Sequence, residues 1–232
     1  MRFTGATLSA SAGPRRRDGG GFRHNACVSD HSQPLREQDA DADPERQFAA
    51  WYEQAAASDM RMPEAAALAT ASPDGAPSLR MVLVKGFDGG VFRFYSNYDS
   101  RKGGEMAANP RAALLFHWDE LGRQVRIEGP VERASAADSL AYARSRARAS
   151  QLSALSSPQS RVVSDRAELE RLVAENDAHY AHEQQLPLPE RWGGFRLTAQ
   201  RYEFWQQRED RLHDRLVYRR DGGDWLIERL AP

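Results

Sequence analysis

Hydrophobic and polar residues alternate in short runs along much of the chain from Ala65 onwards, and clusters of Gly, Pro, Asn and Asp separate the runs. A period of two is typical of half-buried β-strands, and the clusters favour tight turns. We therefore predict strands at 66–70, 78–85, 91–96, 112–118 and 124–133. Such a succession of antiparallel strands can close into a barrel. The end of the chain returns to strands, at 194–197, 202–206, 211–219 and 225–230.

Helical spacing interrupts this pattern at a few places. The first predicted helix begins at Asp43 and Pro44, because aspartate can cap a helix and proline can occupy its first position. Phe48, Trp51 and Tyr52 then fall on one side of that helix, which predicts a buried aromatic stripe. Further helices are predicted after three capping sites, which are Ser100, Ser135 with Asp138, and Ser164 with Asp165. The pattern predicts a mainly β protein of the α+β class.

The N-terminal segment differs from the rest of the chain. Met1 to Gln38 mixes Gly, Ser, Arg and His without periodicity and includes three consecutive glycines, Gly19 to Gly21. Ordering such a segment costs more conformational entropy than its few apolar groups can offset. In a chain of 232 residues with 41% hydrophobic content, one substantial core is expected. We predict a loosely ordered tail at 1–42 and one folded domain at 43–232.

Charge and cysteine content narrow the classes of partner. The formal net charge is −1, so neither nucleic acid nor a membrane surface is an expected partner. This balance counts against an arginine-rich RNA-binding protein. Cys27 is the single cysteine, which excludes an intramolecular disulfide and a thiolate metal cluster and is consistent with a reducing cytoplasm. The first acidic residue is Asp18, so an organelle transit peptide stays open as an alternative to a plain tail.

Lysine is used at two places only among the 32 basic side chains, Lys85 and Lys102. Lys85 ends the run that starts at Arg80, and this run predicts a buried strand with a basic residue at each end. Lys102 follows Ser100 and Arg101 at a predicted helix N-terminus, where unpaired amides already favour an anion. The arrangement predicts a phosphate-binding site. An ordinary solvated hairpin with charged ends is the alternative.

A second cationic pattern lies in the predicted strand at 211–219. Alternation places Arg211, His213 and Arg215 on one face, and Asp214 on the other face can pair with a neighbouring basic group. Burying three such side chains without an anion is costly. Trp205 lies just upstream and offers a flat wall for a ring system. The pattern favours an anionic planar ligand, with a solvated edge strand as the alternative.

Short motifs are dispersed through these segments. They are Arg80-Met81-Val82-Leu83-Val84-Lys85, Ser100-Arg101-Lys102, Arg123-Gln124-Val125, Ser145-Arg146, Gln159-Ser160, Trp192-Gly193-Gly194-Phe195, Glu203-Phe204-Trp205-Gln206, Arg211-Leu212-His213-Asp214-Arg215 and Arg229-Leu230-Ala231-Pro232. Together they resemble the pyridoxamine 5'-phosphate oxidase family of FMN-dependent enzymes, and the resemblance covers about Asp43 to Pro232 in the family's order. The resemblance implies an antiparallel FMN-binding split β-barrel with peripheral helices, and a homodimer with FMN between the subunits.

The resemblance also implies a role for each matching residue. Arg101 and Lys102 would bind the FMN phosphate. Arg80, Met81, Val82, Leu83, Val84, Lys85, Tyr95 and Ser96 would lie along the isoalloxazine and ribityl chain, and Gln124, Gln159, Ser160, Trp205 and Arg215 would complete the pocket. The substrate phosphate would contact Lys85, Tyr142, Arg146 and Ser150, with Tyr142 and Arg146 one turn apart on a helix. Arg211 and His213 would face the pyridine ring and act in catalysis.

The implied reaction is oxidation of pyridoxamine or pyridoxine 5'-phosphate by dioxygen, which gives pyridoxal 5'-phosphate and hydrogen peroxide. Arg215 is the candidate for stabilising charge on the reduced flavin. Two alternatives stay open: a related flavin oxidase of phenazine biosynthesis, against which Lys85 counts, and a non-catalytic FMN-binding barrel. The sequence also departs from the family twice, since residues 1–38 hold no copy of its arginine- and tyrosine-bearing lid, and Met62 stands where an acidic residue is usual.

Overall fold

The computed structural model describes residues 34–232, so Cys27, the three glycines and most of the predicted tail lie outside the described residues. The helices are α1 (Pro44–Ala57), α2 (Arg101–Ala108), α3 (Ala136–Ser145), α4 (Arg148–Ser156) and α5 (Arg166–His179). The strands are β1 (Ala65–Ala71), β2 (Pro77–Asp88), β3 (Val91–Asn97), β4 (Arg111–Trp118), β5 (Arg123–Arg133), β6 (Trp192–Thr198), β7 (Arg201–Gln206), β8 (Asp214–Asp221) and β9 (Asp224–Arg229). Within 34–232, no helix has the length and apolar character to cross a bilayer.

Six of these strands close into an antiparallel barrel, in the order β4-β1-β2-β3-β6-β5, and β5 returns to pair with β4. The predicted meander and barrel are therefore confirmed. β6 enters the barrel between β3 and β5, with Phe94 opposite Phe195 and Val131 opposite Leu197. β7 pairs with the first half of β5, on the edge opposite β4, and β8 and β9 extend the sheet outward from β7. The C-terminal strands thus both complete the barrel and build outward from it.

The helix α1 closes one side of the hydrophobic core. Asp43 caps it by accepting a hydrogen bond from the Glu45 amide, and Pro44 is its first residue, as predicted. Phe48 is fully buried and packs edge-on against Phe92 and Phe116, at ring-centroid distances of 5.0 Å for both pairs. Because edge-to-face contacts favour aromatic rings beyond the burial of their area, this cluster holds α1 on the barrel.

The prediction that 80–85 is a buried strand is wrong on one face. Val84 points into the core, but Leu79 and Met81 are 68% and 64% exposed, and Leu83 is also exposed. β2 pairs with β1 and β3 along its edges, yet no described helix or strand covers this outer face. An apolar run alone cannot distinguish burial on two faces from burial on one face beside an interaction surface.

Two further boundary predictions are wrong. β8 begins at Asp214, so Arg211 and His213 lie in the loop before it and do not alternate with Arg215 along one strand. Arg211 has a φ of 63°, a left-handed conformation that lies outside the β region. The helix α3 ends at Ser145, and Arg146 follows as its C-cap with extended backbone, so Tyr142 and Arg146 do not share a helix face. The short helix α4 was not predicted.

Residues 34–42, from the predicted tail, contact the C-terminal strands. Leu35 is buried, and its amide donates to the Asp214 carboxylate at 3.1 Å. Arg229 of β9 binds the Glu37 carboxylate at 2.7 Å and the Leu35 carbonyl at 2.7 Å. This segment therefore joins the folded part of the chain, while the division into a tail and one domain stays a prediction.

Candidate active site

The predicted phosphate site forms where β3 runs into α2. Ser100 caps α2 by accepting a hydrogen bond from the Gly103 amide, and Gly103 is required there because a Cβ would collide with the Tyr98 carbonyl. Lys102 extends its Nζ to Ser96 Oγ at 2.9 Å, to Ser100 Oγ at 3.3 Å and to Gln159 Oε1 at 3.0 Å. The helix N-terminus, the two hydroxyls and the ammonium thus converge on one place.

The Lys102 ammonium has no carboxylate within ion-pair distance among the described residues; each of its hydrogen-bond partners is a neutral oxygen. Burial and the neighbouring Arg80 guanidinium lower the pKa of Lys102 from 10.5 to about 8. A partly buried cation without a counter-ion is costly, and an incoming anion removes that cost. A cavity of about 300 Å³ opens beside Gln159. This donor set fits a phosphate group.

Two predicted FMN-binding arginines, Arg80 and Arg101, meet at a carboxylate that the sequence analysis did not single out. Glu105 accepts from Arg101 Nε at 2.8 Å and from Arg80 Nη2 at 3.2 Å. Its spacing of four residues from Arg101 is the usual one for an ion pair on a helix, and this spacing was the signal available in the sequence. The burial of its carboxylate could not be predicted, because that depends on β1 and β2.

A stack of aromatic rings lies on the other side of β3. The Tyr95 and Tyr142 rings are parallel with centroids 3.7 Å apart, and Trp192 continues the stack at 5.8 Å from Tyr95. The Arg146 guanidinium lies over the Trp192 ring at 4.9 Å, and burial lowers its pKa. The structure therefore brings Tyr142 and Arg146 together through Trp192 and not through a shared helix face.

The third group surrounds the loop before β8. His213 packs on Trp205 with centroids 4.6 Å apart, and its Nδ1 accepts a hydrogen bond from the Arg208 amide at 3.0 Å. An accepting Nδ1 carries no proton, so the proton of the neutral ring is on Nε2. Arg215 is held by Glu203 at 2.7 Å and by the Ala231 carbonyl at 2.8 Å. Gln124 lies opposite Trp205 in the β5–β7 register.

Backbone conformation marks two predicted site residues. Among the described residues, Ser160 and Arg211 are the two non-glycine residues with positive φ, 69° and 63° respectively. Such conformations cost on the order of 1–3 kcal/mol and persist where the surrounding structure compensates for them. Both lie in loops that the family motifs had identified.

Other predicted site residues lie apart from these groups. Lys85 binds the Glu64 carboxylate at 3.1 Å. Met62 stands at the position where the family usually has an acidic residue, and this chain carries a carboxylate two residues later, at Glu64. Ser150 lies in the first turn of α4. No hydrogen bond, ion pair or ring contact within the described chain joins the Lys102 site, the Tyr142 stack and the His213 loop. A single chain therefore presents parts of the predicted site, not a closed pocket.

The family model described as pyridoxamine 5'-phosphate oxidase matches residues 52–180, and the model of the pyridoxine 5'-phosphate oxidase C-terminal dimerisation region matches residues 192–232. The chain belongs to the pyridoxamine 5'-phosphate oxidase family. The pyridoxine/pyridoxamine 5'-phosphate oxidase of Salinibacter ruber is 51% identical over 82% of this chain and 89% of its own. That of Gluconobacter oxydans is 51% identical over 84% of this chain and 96% of its own.

Two solved structures share this fold. PhzG from Burkholderia lata 383, solved with tetrahydrophenazine-1-carboxylic acid, has a TM-score of 0.77 at 31% identity and covers 90% of this chain. A pyridoxamine 5'-phosphate oxidase-related FMN-binding protein of Nostoc punctiforme has a TM-score of 0.64 at 18% identity and covers 83%. The split-barrel fold predicted from the resemblance is therefore confirmed.

Proposed function

We propose that this protein is a pyridoxamine/pyridoxine 5'-phosphate oxidase, which uses FMN and dioxygen to produce pyridoxal 5'-phosphate and hydrogen peroxide. The observation that carries the proposal is the partly buried Lys102 ammonium at a capped helix N-terminus, which within residues 34–232 contacts three neutral oxygens and no carboxylate. Relatives that are named for this activity and are 51% identical over most of the chain support the proposal.

The proposed cofactor residues divide by their chemistry. Lys102, Arg101, Ser96 and Gln159 would hold the phosphate, since they supply two cations, a hydroxyl and an amide. The strand residues Arg80, Met81, Val82, Leu83, Val84 and Lys85, together with Tyr95, Gln124, Ser160, Trp205 and Arg215, would hold the remainder. When bound, FMN supplies the redox chemistry by accepting a hydride from the substrate carbon and passing electrons to dioxygen.

The proposed substrate residues orient the substrate and stabilise charge. Arg146, half-buried over Trp192, and Tyr142, stacked on Tyr95, would bind the substrate phosphate with Lys85 and Ser150. His213 would donate a hydrogen bond from its Nε2–H to the substrate, because Nδ1 is already an acceptor for the Arg208 amide. Arg211 would hold the ring over the flavin, and Arg215, fixed by Glu203, would place a cation beside it.

We also propose that the active enzyme is a homodimer with FMN at the interface. The exposed apolar face of Leu79, Met81 and Leu83 is the kind of surface that marks an interaction site. A second subunit against this face would also bring together the site groups that one chain keeps apart.

Leu79→Asp tests the dimer. Placing a carboxylate in an apolar interface is strongly unfavourable, so the variant is expected to be a monomer with little flavin and little activity. Analytical ultracentrifugation and flavin absorbance measure both properties. Thr198→Asp, on an exposed residue at the end of β6, is the control and should stay dimeric. A Leu79→Asp protein that is monomeric and fully active would refute a site shared between subunits.

A phenazine-type oxidase is the second candidate, because PhzG shares the fold over 90% of this chain. Its identity of 31% is well below the 51% of the vitamin B6 enzymes, and this chain carries Lys85, which counts against that candidate. The two candidates differ in substrate charge, since the vitamin substrate carries a phosphate.

The deciding experiment loads purified protein with FMN and supplies pyridoxamine 5'-phosphate, pyridoxine 5'-phosphate and a reduced phenazine carboxylate in parallel. We expect aldehyde formation with equal dioxygen uptake for the phosphorylated vitamers. Unphosphorylated pyridoxamine is the control and should react far more slowly. An FMN-loaded protein that forms no aldehyde would refute the oxidase proposal, and turnover of the phenazine alone would favour the second candidate.

A further inference from the structure

Glu105 is a buried carboxylate with an unusually complete set of donors. Its side chain is 8% exposed. Oε2 accepts from Thr70 Oγ1 and Ser78 Oγ, both at 2.5 Å, and from Arg80 Nη2 at 3.2 Å, while Oε1 accepts from Arg101 Nε at 2.8 Å. These bonds hold the pKa of Glu105 at about 2 against the opposing effect of burial. The residue is thus ionised at any physiological pH.

The way in which Glu105 contacts Arg101 leaves part of that guanidinium free. Glu105 binds Arg101 through Nε, and among the described residues no partner contacts either of its terminal nitrogens. The Arg101 side chain is 64% exposed, so it would otherwise sample many rotamers in water. A guanidinium held at Nε presents its two Nη groups as a planar fork, which is the geometry that binds phosphate oxygens in pairs.

Glu105 also fixes Arg80. The Arg80 guanidinium donates to Glu105, to Thr70 Oγ1 at 2.5 Å, to Ser78 Oγ at 2.5 Å and to the Leu68 carbonyl at 3.2 Å. One carboxylate therefore joins an arginine of β2 to an arginine of α2. Together with Lys102 these groups carry three positive charges and one negative charge, and the remaining charge of about +2 matches a phosphate monoester of about −1.5 to −2 at neutral pH.

We propose that Glu105 is a positioning residue for the cofactor: it orients Arg101 so that the Nη groups of that residue bind the phosphate of FMN, and it fixes the charge of Arg80 beside them. This inference rests on the proposed function, because it assumes that FMN is the ligand of the Lys102 site. Glu105 does not touch the phosphate in this arrangement and acts through the two arginines.

Glu105→Gln is the direct test. The variant keeps the size of the side chain but replaces one acceptor oxygen with an NH2 group, which then faces donors on Arg101 or on Arg80 and the two hydroxyls. We expect the Kd for FMN to rise by about threefold, less than on removal of Arg101 itself, because the arginines keep their charge and lose only their orientation. The Kd for riboflavin, which lacks the phosphate, should stay unchanged. Quenching of flavin fluorescence measures both constants without turnover.

Glu170→Gln is the matched control, because Glu170 pairs with Arg166 at the same i,i+4 spacing on α5; FMN binding should be unaffected. If Glu105→Gln fails to fold, Glu105→Asp retains the charge and shortens the reach, and it should show the same FMN-selective loss. Unchanged or tighter FMN binding would overturn the inference, and so would an equal loss of FMN and riboflavin, which indicates a general structural role. Absence of FMN binding by the unmodified protein would instead refute the proposed function.

Discussion

The Lys102 site and the loop before β8 are both cationic, but they are built differently. The Lys102 site stands on a capped helix, and its ammonium is held by hydroxyls and an amide from β3, α2 and the loop after α4. The loop before β8 carries Arg211 in a left-handed conformation and holds His213 by one backbone hydrogen bond. The Lys102 site is held in place by contacts within one chain, whereas the loop before β8 leaves the Arg211 side chain exposed.

This difference indicates a division of labour between the regions. A phosphate site must be ordered before the ligand arrives if it is to bind tightly, because ordering it afterwards costs binding energy. A residue that holds a reacting ring needs access to the substrate, and exposed loops supply it. We therefore expect changes at the Lys102 site to alter flavin affinity, and changes in the loop to alter turnover.

Arg211→Ala should have the largest effect. Arg211 is proposed to hold the substrate ring, and loss of a charged hydrogen-bonding group in that role should lower kcat/KM by about 100-fold or more. The protein should still bind FMN with unchanged Kd. Steady-state kinetics and a flavin titration on the same sample check both expectations, and Leu212→Ala, the exposed neighbour, is the control. If Arg211→Ala lost FMN affinity as well as activity, the assignment of flavin affinity to one region and turnover to the other would be wrong.

Lys102→Met should weaken FMN binding by about 30-fold, because it removes a desolvated cation from the phosphate site while keeping a chain of similar length. Lys102→Arg keeps the charge and should lose less. Once saturated with FMN, Lys102→Met should turn over at nearly the normal rate. A large fall in kcat at saturating FMN would contradict the separation of affinity from turnover.

FMN affinity should also depend on pH with a definite sign. The pKa of Lys102 in the ligand-free protein is about 8, so the ammonium is present at pH 7 and largely lost by pH 9. The Kd for FMN is therefore expected to rise by up to about tenfold between these values. Calorimetry in buffers of different ionisation enthalpy should detect proton uptake on binding near pH 9. The Lys102→Arg variant should show no such rise, and an identical rise in it would remove Lys102 as the cause.

Arg101→Ala should have the smallest effect of the series. Its guanidinium is largely exposed, and charged contacts in water contribute little compared with buried ones. We expect a loss of about fivefold in FMN affinity, weaker still at high salt. Arg166→Ala, the matching arginine of the α5 pair, should change nothing. A loss of FMN affinity as large as that of Lys102→Met would show that the exposure of a side chain does not predict its contribution to FMN binding at this site.

Local chemistry explains which elements could be predicted. The cap and first turn of α1, the cap of α2 and the strands of the meander follow from neighbouring residues, and each is confirmed. The errors arise where distant segments decide the outcome. Leu79 and Met81 were predicted to be buried because an apolar run does not show whether another element covers that face of the strand. Arg211 lies outside the predicted strand because the hydrogen bond from the Arg208 amide to His213 accompanies a turn of the chain before Asp214. Arg146 reaches the Tyr142 stack through Trp192, a residue 46 positions away.

The sequence by itself determined the family, the helix that presents Lys102 and the identity of the cationic groups, because motifs and helix caps are local properties of the chain. Tertiary structure alone decided which of these groups meet. Glu105 joins Arg80 to Arg101 only when α2 packs against β1 and β2, and the apolar face of β2 stays exposed because no other element within residues 34–232 covers it. Burial and counter-ions depend on contacts between distant segments, and those contacts determine the pKa of Lys102 and the orientation of the arginines around it.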